Sequence, residues 1–315
     1  MRKMIVPAAL FAALALVPYL PWGRDGGYVL LLVARIEVFA LAAISLDLIL
    51  GAGGMVSFGH AAYLAIGAYA AAALDEAGFD QAWAVLPAAM AAAGLFALAT
   101  GAVALRTRGV NFIMITLAFA QMVYFGAGSL AAYGGDDGYS LIGTTQAFGW
   151  RVMEGRAFHI TAFGLLLAGF LLCRAIVASR FGRVLRAIRQ NRLRVQAMGF
   201  DPFRYQLAAY VIAAMICAVA GVLLANQAGF VSPAYATWQR SGDLLIMVIV
   251  GGAGSLYGAV MGAAAVVLLE EGLGRLTEHW RLIFGPLLVL SVLFFRGGLA
   301  SIGTSIGTGL GGRRG

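Results

Sequence analysis

The chain has 315 residues, of which 62% are hydrophobic and only 11% charged. Soluble domains carry about a quarter charged residues, so this composition excludes an ordinary soluble domain and makes lipid the main solvent. The net charge of +8 does not describe a nucleic-acid binder, which gathers basic residues on a solvated face beside a soluble core. Here 21 arginines and Lys3 fall in short loops between apolar runs, the pattern by which basic loops mark the cytoplasmic side of a membrane.

A crossing needs about 20 predominantly apolar residues. In chain order such runs fall near 4–20, 27–50, 58–74, 83–105, 110–130, 158–177, 207–231, 244–270 and 282–295. The first follows Arg2 and Lys3 and reads as a retained span rather than a signal peptide. Arg2 and Lys3, the Arg106–Arg108 turn, the stretch from Ser179 to Arg204 and the tail with Arg313 and Arg314 belong in the cytoplasm with both termini. Asp75–Asp80, the loop with Asp136 and Asp137, and Glu270 with Glu271 belong outside. Loops on one side must be separated by an even number of crossings, which holds with single spans up to residue 243. The 27 residues of 244–270 must leave and return, which predicts two short helices or a re-entrant pair. The expectation is an all-α, polytopic membrane protein of about ten passes, one domain over 1–315.

Two Gly-rich stretches interrupt these runs, Gly51–His60 and Gly251–Gly258. Shifted by 199 positions they align, Gly53 on Gly252, Phe58 on Tyr257 and Gly59 on Gly258. Matching glycine interruptions in two halves of a chain point to a transport route, because irregular backbone at membrane depth survives only where protein or a water-filled cavity covers it. Close helix packing is the alternative use of such glycines.

Catalysis finds no footing. A P-loop needs a lysine after its glycines, and the only lysine is Lys3. The Gly-x-Ser-x-Gly frame of a nucleophile elbow does not occur around Ser57 or Ser255. Cys173 and Cys217 lie inside apolar runs, and His60, His159 and His279 show no metal-ligand spacing, so neither cofactor nor metal is expected. Polar residues within spans are expensive and mark routes or interhelical hydrogen bonds. With the Gly stretches they give the route candidates Asp47, Ser57, Gly59, His60, Asn111, Thr116, Gln121, Gly254, Tyr257 and Gly258. Asn111 and Thr116, five apart, do not share one helical face. Arg35 and Glu37 are expected near the outer interface, snorkelling toward water.

The longest basic loop, about 178–206, carries a helical pattern. Ser179 can cap a helix whose Phe181, Val184, Leu185, Ile188 and Val195 form one apolar arc, with Arg180, Arg183, Arg186, Arg189 and Arg194 over the rest. Arg192 alone falls toward the arc. Gly199 stops the helix, and Asp201-Pro202 opens the next. A basic helix of this kind can rest on anionic lipid or dock on a cytoplasmic protein.

The run Leu48-Ile49-Leu50-Gly51-Ala52-Gly53-Gly54-Met55-Val56-Ser57-Phe58-Gly59-His60-Ala61-Ala62-Tyr63 resembles the signature of LivM-type permeases of branched-chain amino acid ABC importers. Thr116–Gln121, Ser179–Arg183 with Arg186–Arg189, and Gly251–Gly258 are similar in the same sense. The resemblance implies a helical permease of the bacterial inner membrane, working by alternating access beside a related second permease, two cytoplasmic ATP-binding subunits and a periplasmic solute-binding protein. It also implies that Phe181, Leu185, Arg186, Ile188 and Arg189 touch an ATPase subunit. This sequence lacks a clear Glu-Ala-Ala-x-x-x-Gly loop; Gln196-Ala197-Met198-Gly199 is a loose echo of it. Rival readings are a urea, short amide or sugar permease of the same superfamily, an ion-coupled secondary transporter and a membrane enzyme, the last needing a catalytic cluster that the sequence does not display.

Overall fold

The computed structural model describes residues 5–16, 19, 26–143, 145–146, 155–277, 279, 282–287 and 298–301. Its helices are α1 (Ile5–Leu16), α2 (Gly26–Asp47), α3 (His60–Glu76), α4 (Ala82–Ala104), α5 (Val110–Gly128), α6 (Gly155–Ala178), α7 (Arg180–Gln190), α8 (Arg192–Ala197), α9 (Pro202–Ala228), α10 (Trp238–Gly251) and α11 (Leu256–Leu276). Six are long and apolar enough to cross a membrane: α2 with the π-helical turn Leu48–Ala52 that continues it, α4, α5, α6, α9 and α11. The helices α3 and α10, of 17 and 14 residues, are shorter than most crossings.

The core lies between α2, α9 and α3. Helix α9 packs on α2, α3 and α4, and α11 packs on α2 and α10. Lipid gives helices no hydrophobic reason to associate, so they are held by close approach of small residues. Gly67 on α3 lies against the Ala218 carbonyl of α9, and Gly221 on α9 against the Leu64 carbonyl of α3. A Cβ at either position would overlap the facing backbone. The outer helices α4, α5 and α6 expose Leu95, Met122, Phe125 and Leu171, as a lipid-facing surface does.

The two ends of the bundle differ. At one end, β1 (Tyr139–Ser140) pairs antiparallel with β2 (Phe230–Val231), a small departure from an all-α fold. The Asp75 carboxylate accepts the N–H groups of Ile142 and Gly143 at 2.7 and 3.1 Å, and Asn226 Oδ1 accepts that of Thr145 at 2.8 Å. The opposite end carries the Arg turn and α7–α8.

Three expectations change. The 244–270 segment is one short and one full-length helix: α10 starts six residues earlier, inside the polar run Trp238–Asp243, and α11 is capped by Ser255, whose Oγ accepts from Gly258 N. The helix expected over the basic loop is two helices, because Asn191 turns to φ −157° and ψ 102°, and its side chain accepts from Arg194 N to cap α8. The caps at Ser179 and Asp201 stand as read. Glu37 does not snorkel: it is buried beside His159 of α6, with Nδ1 3.0 and 3.2 Å from its two carboxylate oxygens. Arg35 pairs with Glu270 of α11 at 3.1 Å. Residues 282–287 are helical; the rest of the 282–295 span, Arg2, Lys3, Arg313 and Arg314 lie outside the described residues.

Candidate functional site

Helix α2 widens into its π turn at Asp47, and the chain then runs without regular structure from Met55 to Gly59 before α3 begins. Such π turns recur at functional positions because they break the regular hydrogen-bond ladder. The second Gly stretch, between α10 and α11, comes to rest against this turn. Asp47 is 1% exposed, and its Oδ1 accepts the backbone N–H of Gly254 at 2.6 Å. A Cβ on Gly51 would stand 2.5 Å from Gly254 Cα. Gly254 holds φ +90°, a conformation that L side chains rarely adopt.

The end of α7 closes the arrangement. The Arg189 guanidinium donates to the Gly51 carbonyl, and the Arg189 stem lies over Gly54, where a Cβ would come within 2.8 Å of Arg189 Cγ. Thus Asp47, Gly254, Gly51 and Arg189 tie the ends of three segments far apart in sequence into one latch.

Ser57, Gly59 and Thr116 form a second, adjoining contact. Thr116 Oγ1 accepts from Phe58 N at 3.2 Å and donates to Ile113 O at 2.9 Å. Ser57 Oγ accepts from Gly59 N at 3.2 Å, and a Cβ on Gly59 would meet the Thr116 carbonyl at 2.5 Å. His60 is buried behind this loop, its Nε2 2.8 Å from Ser45 Oγ. Ser45 Oγ also lies 2.6 Å from Ala42 O.

Four of the expected route residues stand apart. Asn111 is exposed and Gln121 half-buried on α5, while Thr116 is buried, in keeping with their not sharing a face. Tyr257 donates to Ala300 O at 3.4 Å. Gly258 packs against the Gly251 carbonyl, 2.5 Å from where its Cβ would be.

Among the coupling candidates the structure divides the arc from the arginines. Leu185 and Ile188 are 0% and 5% exposed within the chain itself, and Phe181 stacks on Tyr205, ring centroids 5.4 Å apart. Leu185, Ile188 and Val195 of the apolar arc are covered by the chain's own helices, whereas Phe181 and Val184 are half-buried. Arg180, Arg183 and Arg186 are exposed. Sequence reasoning missed two contacts here. The Arg189–Gly51 bond has no local signal, since 138 positions separate the two residues. The buried Ser241, whose Oγ accepts from Ala61 N at 3.1 Å, sits in a polar run that read as loop.

The family model described as the permease component of branched-chain amino acid transport systems matches residues 28–292. The chain belongs to that family. The permease is 28% identical over 288 residues to the high-affinity branched-chain amino acid transport system permease protein LivM of Escherichia coli K12, covering 83% of this chain and 67% of the relative. It is 27% identical over 285 residues to LivH of Salmonella typhimurium LT2, covering 84% and 91%. A shorter likeness, 33% over 138 residues and 41% of this chain, joins it to the xylose transport system permease protein XylH of Escherichia coli K12, of which it covers 35%. No solved structure matches the permease.

Proposed function

We propose that the permease is a membrane-spanning subunit of a binding-protein-dependent ABC importer for branched-chain amino acids. The observation that carries this reading is the family match over 28–292. The LivM and LivH relatives extend over more than four-fifths of the chain, against 41% for the xylose permease. The permease works in the bacterial inner membrane beside a related second permease, two cytoplasmic ATP-binding subunits that hydrolyse the ATP, and a periplasmic solute-binding protein.

Its ten passes are α1 to α6, α9 to α11 and the segment over 282–295. The Arg turn and α7–α8 face the cytoplasm, and the β1–β2 end faces the periplasm. Because α3 and α10 are short, the two Gly stretches lie at membrane depth, reached from the cytoplasmic side. They form the gate of that side. An ATPase subunit bears on the exposed arginines of α7, and Arg189 passes the movement to Gly51 and so to Gly254. Alternating access then needs only that the two stretches part and rejoin.

Reconstitution of the permease with its partner subunits in proteoliposomes tests this. ATP inside the vesicles and solute-loaded binding protein outside should give uptake of labelled leucine, isoleucine or valine. Uptake of xylose instead of these amino acids, or uptake without ATP, would refute it.

A further inference from the structure

Beside the latch lies a cavity of about 220 Å³, walled by the Arg turn, the start of α5, the loop after α2, the end of α7 and the start of α9. Arg108, Arg189, Arg192 and Gln206 form its polar side, with no carboxylate in the lining. Arg192 Nη1 donates to Gln206 Oε1 at 3.0 Å, while its Nε is buried without an acceptor. Burial, and then the Arg108 guanidinium, hold the Arg192 guanidinium below its ordinary pKa, with Asp201 opposing. Gathered guanidinium groups and a buried donor are the fork-shaped donor set that phosphate oxygens fit.

The facing wall is apolar, made by Leu105, Phe112 and Ile113. It continues outward into Val103, Val110 and Met114, which are 54%, 65% and 58% exposed. An inorganic anion gains nothing from that wall, whereas a phospholipid can lay its glycerol and first acyl carbons along it. The geometry points to a binding site for an anionic phospholipid of the cytoplasmic leaflet, its phosphate held by Arg108, Arg192 and Arg189. This rests on the cytoplasmic placement of the Arg turn proposed above. Since Arg189 also holds the Gly51 carbonyl, a lipid in the cavity bears directly on the latch.

Native mass spectrometry of the assembled importer, equilibrated with dioleoylphosphatidylglycerol or dioleoylphosphatidylcholine, tests the site by mass, without transport. The wild type should retain the anionic lipid preferentially. Arg108→Gln with Arg192→Gln should weaken retention about 25-fold, from two contributions of about 1 kcal/mol at 1.4 kcal/mol per tenfold. Arg108→Gln alone, on an exposed turn that tolerates substitution, should give part of that loss. Equal retention of both lipids, or unchanged retention in the double variant, would overturn the site. Retention of inorganic phosphate with no retention of either lipid would assign the cavity to a free anion and refute the lipid. A complex that imports another solute can still show the site, and one that imports leucine can lack it, so the two readings fail separately.

Discussion

Asp47 on α2 accepts the backbone N–H of Gly254 at 2.6 Å although 207 positions separate them. The bond joins the two Gly stretches whose likeness in sequence first suggested a shared role. A charged acceptor makes a hydrogen bond worth about 1.5–3 kcal/mol in stability, and Asp47 is buried with its second oxygen unpartnered. Such a group holds two segments together without the extensive packing that would prevent their separation.

Asp47→Ala leaves the Gly254 N–H without its acceptor and should destabilise the assembled permease by about 1–3 kcal/mol. Asp47→Asn keeps an amide oxygen in place and should cost less. Thermal unfolding of the purified complex separates the two. If both substitutions lower stability equally, the carboxylate acts through its charge and not through this bond.

Arg189→Ala removes the hydrogen bond that α7 makes to the Gly51 carbonyl of the first Gly stretch, and leaves the exposed Arg180, Arg183 and Arg186 for the proposed ATPase partner. The variant should retain its ATP-binding subunits on purification, yet lose most of its uptake per ATP hydrolysed. Arg189→Lys, a point charge without the guanidinium fork, should restore part of it. Loss of the ATPase subunits from Arg189→Ala would show that the residue docks rather than transmits.

Leu185→Ala and Ile188→Ala should damage the permease itself. Both side chains are buried in the chain, and truncating a buried Leu or Ile to Ala costs about 2–5 kcal/mol. The expected result is less folded permease in the membrane, with the surviving fraction still binding its ATPase. Normal amounts of permease stripped of ATPase would return the apolar arc to the interface.

Much of the fold could be read directly. Apolar runs placed α2, α4, α5, α6 and α9 because a span of about 20 apolar residues has one dominant meaning in a chain this poor in charge. The caps at Ser179 and Asp201 were equally plain, being local chemistry. What escaped was decided by tertiary contact. An amphipathic arc looks the same whether a partner or the chain's own helices cover it, so the burial of Leu185 and Ile188 within the chain is not legible from the pattern. The break at Asn191 was hidden because the apolar period runs on through it. Of the site, the sequence singles out Asp47 and Gly254, but nothing local says that they meet, and it offers Arg189 as an ATPase contact with no sign of its bond to Gly51.

Glu37 and His159 show how far burial can depart from position in a sequence. Glu37 follows Arg35 in the middle of α2, and it turns inward to His159 on α6, with both residues buried. Tyr19 and Phe163 flank the imidazole, with ring centroids 6.1 and 6.3 Å away. Removing one member of a buried ionisable pair strands the other, at about 3–5 kcal/mol, while replacing both by apolar groups of similar volume is often neutral or stabilising. His159→Phe and Glu37→Leu alone should therefore each destabilise the permease strongly. Glu37→Leu with His159→Phe should recover most of the loss, giving a large coupling energy in a double-mutant cycle read by thermal unfolding. Additive losses would mean that the two residues do not act as a pair. If the double variant is stable and still imports its amino acid at the wild-type rate, the pair serves helix packing alone; if it is stable but transports poorly, the pair is part of the transport cycle.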